Sequence, residues 1–150
     1  GEGAGWRQHK DAASQTDYVM KNAVLWGGNL SVLCSLLGTP YFPDIKGGLL
    51  FLEDVHEHPY RIERMLSQLL YAGVLGGQKA IILGQFTDYK AFPHDKGYRL
   101  QTVVEWLRQK IKAPVLSNLP YGHVATKVML PVGAKTSLMV NGRDALLYWG

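Results

Sequence analysis

The hydrophobic positions of this chain follow two patterns in alternation: short unbroken apolar runs, and longer stretches in which apolar residues recur every three or four positions. Unbroken runs mark strands buried on both faces, and the longer period marks helices that bury one side. Residues 18–26 read as a mostly apolar strand that stops at Gly27-Gly28. Asn29 then stands where a helix N-cap would, and Leu30, Leu33, Cys34 and Leu37 share one helical face before Gly38-Thr39-Pro40 ends the segment. Residues 48–52 (GLLFL) form a second buried strand, which delivers Glu53-Asp54 at its carboxyl end. Pro59 suits a first helical turn, and Ile62, Met65, Leu66 and Leu69 make a stripe closed by Gly73. Residues 79–83 repeat the buried-strand pattern, and 84–88 leave it as a loop. Leu100, Val103, Val104, Leu107 and Ile111 define a third helical stripe opposite Gln101, Glu105, Arg108 and Lys112, stopped by Pro114.

Beyond Pro114 the pattern predicts a brief strand at Val115-Leu116, a turn-rich stretch at 118–123, and two or three further β segments. The last pair surrounds Val140-Asn141-Gly142-Arg143, the strongest short-range hairpin signal in the chain. Strands alternating with helices and followed by a β-rich tail predict an α/β domain with a mixed sheet, with α+β as the other possibility. Residues 1–17 are glycine-rich and then polar, with no sustained period, and are expected to be an arm or linker ahead of a domain at 18–150. With 150 residues and 47% hydrophobic content, the chain can build one core but not two.

Composition narrows the function classes. A charged fraction of 19% is too low for a disordered chain. The net charge of +4 comes from scattered lysines and arginines, so it reads as solvated surface and nucleic acid is not an expected partner. No stretch reaches the about 18 consecutive apolar residues of a membrane span, so no membrane association is expected. Cys34, the single cysteine, cannot form an internal disulfide, which fits a reducing compartment. The chain opens on Gly1 with no methionine, as a piece of a longer protein would.

Several residues could carry chemistry. His56-Glu57-His58 joins two imidazoles and a carboxylate, but zinc hydrolases set histidines four apart on a helix, and a loop before Pro59 suits solvated polar residues better than a metal. Glu53, at the mouth of an apolar strand, is held by a rigid element, as a carboxylate that orients an imidazole must be. His123 lies in a loop bounded by Pro120 and Gly122, where backbone geometry can aim a side chain. Each alone also fits a bland role: an ion pair or cap for the glutamate, a solvated loop for the histidine. Gly27-Gly28-Asn29 reads either as a tight turn with a helix cap or as a place where a ligand approaches the backbone. None of Ser14, Ser31, Ser35, Ser67, Ser117 or Ser137 occupies a G-x-S-x-G elbow.

Four blocks join these residues. GGNLSVLCSLLGTPYFPD, GGLLFLEDVHEHPYRIERMLSQLLYAGVL, LGQFTD and NLPYGHVATKVMLPVGAKTSL, in this order and spacing, resemble the C-terminal part of bacterial LD-carboxypeptidases from about Trp26 onward. That family comprises serine peptidases that remove the terminal D-alanine of murein tetrapeptides, and its relatives include the microcin-immunity peptidases. The resemblance implies a swivelling β/β/α-type domain, and a Ser-Glu-His triad whose glutamate is Glu53 and whose histidine is His123. Its serine would belong to an N-terminal nucleophile domain absent from this chain, so the isolated chain is expected to be inactive. Gly27, Gly28 and Asn29 are expected to line the site. No cofactor or metal is expected. The expected partners are a murein tetrapeptide, the nucleophile domain of the same parent protein and a second copy in a homodimer; the expected location is the cytoplasm. Two alternatives remain: a peptidase acting on a microcin-type conjugate, and a non-catalytic dimerisation or binding module.

Overall fold

The computed structural model describes residues 2–9, 17–54, 58–84, 100–120 and 130–150. Among them, one seven-stranded mixed sheet carries three α-helices. The strands are β1 (Glu2–Arg7), β2 (Tyr18–Asn29), β3 (Leu49–Glu53), β4 (Ala80–Gly84), β5 (Val115–Leu119), β6 (Lys135–Asn141) and β7 (Asp144–Trp149), in the order β1-β7-β6-β2-β3-β4-β5. The helices are α1 (Leu30–Ser35), α2 (Pro59–Tyr71) and α3 (Leu100–Lys110). The α/β pattern with a mixed sheet is therefore present, and the strand order comes from tertiary pairing.

β2 joins two kinds of sheet. Its first half pairs antiparallel with β6, and its second half, from Leu25 to Asn29, pairs parallel with β3. Parallel pairing continues through β4 to β5, whereas β6, β7 and β1 are antiparallel neighbours. In the β6–β7 hairpin Asn141 is the last paired residue, so Gly142-Arg143 forms the loop. Only Gly142 has positive φ, +61°, the Gly-X form of a two-residue turn.

Side chains alternate across each strand, giving the sheet two apolar faces. Leu50, Leu52, Ile81, Leu83 and Val115 face outward and pack under Leu30 and Leu33 of α1, Ile62, Leu66 and Leu69 of α2, and Val103 and Leu107 of α3. The inner face draws on every strand, through Trp6, Leu25, Phe51, Ile82, Leu116, Leu138 and Leu147 among others. The sheet curls around this inner core until its outermost strands meet: the Trp6 indole N–H donates to the Ser117 carbonyl at 2.8 Å, and Gln8 Oε1 accepts from the Ser117 N–H at 3.3 Å. Full burial of each such large apolar side chain stabilises the fold by about 1.5–3 kcal/mol.

The expectation of an arm across residues 1–17 is corrected for its first part. Glu2–Arg7 is a strand paired with β7, and Ala4 and Trp6 are buried while Gly3 and Gly5 face out. Glycine on the outer positions hides the alternation, and the partner strand lies at the other end of the chain. β2 also continues through Gly27-Gly28 to Asn29, and α1 stops at Ser35, with Leu37 packing on the core just after it. Gln78 braces the strand ends opposite the parallel edge. Its Oε1 accepts from Trp26 Nε1 at 3.0 Å and from the Gly48 N–H at 3.2 Å, while Nε2 donates to the carbonyls of Ile45 and Val74.

Candidate active site

β2, β3 and β4 run parallel and end side by side at Asn29, Glu53 and Gly84. Parallel sheets bind ligands outside such carboxyl ends, because the strands stop there and the loops diverge. Glu53 is 5% exposed, and alternation along β3 puts it on the side of Leu49 and Phe51, at the mouth of the inner core. Asp54, also buried, belongs to the other side. Its charge is felt by Cys34, which packs on the outer core and whose thiol is pushed up to about 11, first by burial and then by that carboxylate. Cys34 Sγ donates to the Met65 carbonyl at 3.4 Å.

Asn29 is in register with Glu53 across the β2–β3 ladder. It caps α1: its Oδ1 accepts from the Val32 N–H at 3.0 Å and from the Ser31 hydroxyl at 2.8 Å. With the oxygen committed to the helix, the amino group is the end of this amide left to donate beside Glu53. The two preceding glycines differ. A methyl group at Gly27 would run into the Phe51 carbonyl oxygen, so this glycine lets β2 and β3 close on each other. At Gly28, φ is +135° and no described residue comes within 4 Å of an added Cβ, so the backbone is open there.

On the other flank of Glu53 the strand pairing shifts. Ile82 pairs with Leu116 but Gly84 pairs with Leu119, leaving one extra residue in β5. Asn118, at φ +71°, takes up the bulge, and its Nδ2 donates to the Arg7 carbonyl at 2.9 Å. The bulge turns Leu119 as well as Leu116 into the inner core. Bulges of this kind re-aim the chain next to functional sites. Neither Gly84 nor Asn118 stood out in the sequence. The available signal was that residues 79–83 form a run like that of β3, so its end at Gly84 matches the end of β3 at Glu53.

His123 follows Leu119 in the chain and lies outside the described residues, as do His56, Glu57, Ser14 and residues 85–88 of the expected loop. His58 is the N-cap of α2, where its Nδ1 accepts from the Tyr60 N–H at 3.1 Å and its ring stacks on Tyr60. This adds a capping role to the exposed polar reading of that residue. The hydroxyls of Ser35 and Ser67 donate to backbone carbonyls within their own helices, and those of Ser117 and Ser137 accept from the N–H groups of His9 and Asn22.

The carboxyl ends of β2 and β3 thus bring together a buried carboxylate, an amide donor and a stretch of backbone open among the described residues. The sequence profile of the LD-carboxypeptidase C-terminal domain matches residues 22–138. The chain belongs to the LD-carboxypeptidase family. It is 36% identical over 126 residues to the probable murein peptide carboxypeptidase of Bacillus subtilis (strain 168), covering 84% of this chain and 40% of that protein. The crystal structure of muramoyltetrapeptide carboxypeptidase from Oxalobacter formigenes superposes with a TM-score of 0.89 at 43% identity, covering 97% of this chain and 48% of that one. The microcin C7 self-immunity protein MccF of Escherichia coli is 32% identical over 119 residues, 79% of this chain and 34% of that protein. The chain thus spans less than half the length of each of these relatives.

Proposed function

We propose that this chain is the proton-transferring half of a serine-type LD-carboxypeptidase that releases the terminal D-alanine of murein tetrapeptides. The observation that carries this reading is the position of Glu53: buried at the carboxyl end of β3, with only the end of β4 between it and the end of β5, the strand that precedes His123. In the proposed mechanism His123 takes the proton of a serine supplied by the N-terminal half and returns it to the departing D-alanine amine. The serine oxygen bonds to the carbonyl carbon, the C–N bond to D-alanine breaks to leave an acyl-serine, and water, deprotonated by His123, then cleaves that ester and the serine regains its proton. Glu53 holds the imidazole in the right tautomer and favours the imidazolium. Asn29, through its amino group, and the open backbone at Gly28 would meet an oxygen of the substrate. Without the serine the chain alone would not turn over substrate. The proposal includes a cytoplasmic location and a homodimeric parent protein that engages neither nucleic acid nor membrane. Among the described residues, no helix is long and apolar enough to cross a membrane. A second reading, cleavage of a microcin-type conjugate by the same groups, draws support from the 32% identity to MccF.

The test is an NMR titration of the histidines in this chain, with His123 assigned through His123→Gln. A carboxylate beside an imidazole raises its pKa, so Glu53→Gln should lower the pKa of His123 by about 1 unit or more. An unchanged titration rejects the pair. In the full-length protein, Glu53→Ala and His123→Ala should each reduce D-alanine release by a factor of about 100 or more. Comparing a murein tetrapeptide with an aminoacyl-nucleotide conjugate as substrate decides between the two readings.

A further inference from the structure

Gly84 is bare for a reason that its backbone does not explain. It is not among the glycines with positive φ, so another residue could adopt its conformation. The constraint is space. A Cβ added at Gly84 would lie 3.3 Å from Glu53 Cβ, 3.4 Å from the Leu119 carbonyl oxygen and 3.5 Å from the Leu52 carbonyl oxygen. Carbon atoms normally rest about 3.5–4.0 Å apart, so an added methyl at 3.3 Å would be tight, and the inner face is narrow at this point. The narrow point has Glu53 on one side and, on the other, the last residue of β5, brought there by the bulge at Asn118.

We infer that Gly84 is a positioning residue: its missing side chain leaves room on the inner face for the Glu53 side chain between the ends of β3 and β5, the strand that precedes His123 in the sequence. The inference rests on the glutamate–histidine pair proposed above and adds to it the spacer that sets their separation. A methyl group at this position displaces Glu53 by a few tenths of an ångström while β4 keeps its ladder to β3. In the geometry of a triad, misplacement of about 1 Å costs about a hundredfold in rate, so a smaller shift is expected to cost about tenfold.

The experiment is a cycle on this chain: the His123 pKa is measured by NMR with and without Glu53→Gln, each in the unaltered chain and in the Gly84→Ala background. The amide spectrum reports folding, and Gly76→Ala serves as the control, since Gly76 lies away from the site, has no positive φ and its added methyl meets no described residue. The expected result is a folded Gly84→Ala chain in which Glu53→Gln lowers the His123 pKa by less than half as much as in the unaltered chain, with Gly76→Ala leaving that drop intact. An equal drop in the Gly84→Ala background overturns the positioning role while leaving the pair standing. No drop even in the unaltered chain overturns the pair and this inference together. A Gly84→Ala chain that does not fold also overturns it, because positioning requires β4 to accept the methyl. In the full-length protein the matching signature is a kcat lowered about tenfold at unchanged KM, since Gly84 acts through Glu53 and not through substrate binding. A change confined to KM counts against it.

Discussion

The parallel and antiparallel halves of this sheet are built from the same strands-and-turns vocabulary but are buried differently. β3 and β4 are buried at every position, with helices on one face and the inner core on the other. β1, β6 and β7 alternate, and their outer face is left to solvent, where Met139 is 42% exposed beside Val19 of β2 at 52%. The candidate catalytic carboxylate lies in the first half. A strand held on both faces has no freedom to drift, and a group at its end inherits that rigidity. The antiparallel half supplies closure: through Trp6, Gln8 and Arg7 it fastens onto β5 at Ser117 and Asn118.

If that division is right, deletions of side chain in the two halves should differ several-fold. Phe51→Ala, in the doubly covered half, is expected to lower unfolding free energy by about 3–5 kcal/mol, whereas Met139→Ala on the open face should change it by less than about 0.5 kcal/mol. Denaturant midpoints at constant m would show it. A cost at Met139 near that at Phe51 would mean that the outer face is covered in solution.

The glycine pair sharpens the contrast within β2. Gly27→Ala drives a methyl into the Phe51 carbonyl and should destabilise the chain by about 3 kcal/mol or more, while Gly28→Ala carries only backbone strain, about 1–2 kcal/mol. Equal losses would remove the distinction between a packing glycine and an open one.

The smallest expected effect concerns Cys34, under the helical cover. Its thiol titrates near 11 in the fold against an ordinary 9.0, so the folded state is favoured below pH 9 and loses that contribution as pH rises toward about 11. Stability should fall across that window, and Cys34→Ala should flatten the fall. At pH 8, alkylation should be slower than for an unhindered thiol. Fast alkylation at that pH would show that the helices do not shield it.

Three helices, the core strands β3 and β4, and the closing hairpin were legible from the chain, because each is decided by neighbours a few residues away. Leu66 and Leu69 at helical spacing, or the unbroken Leu49-Leu50-Phe51-Leu52, state their environment directly. β1 was not legible: its outward positions are Gly3 and Gly5, and its partner is β7. The bulge at Asn118 escaped for a related reason, since an extra residue is visible only against the strand it fails to match.

For the site, the chain alone determined that a carboxylate, Glu53, ends a buried strand and that Asn29 caps a helix; the pairing of Glu53 with His123 is the part proposed here. Tertiary structure decided what surrounds the carboxylate. It set Asn29 in register with Glu53, bared Gly84 on the other flank, and brought the end of β5 within a methyl group's reach of that gap. Local sequence encodes the period that makes a strand or a helix. Distances between strand ends depend on which strands pair and in what register, and that is settled only when the sheet curls around its core.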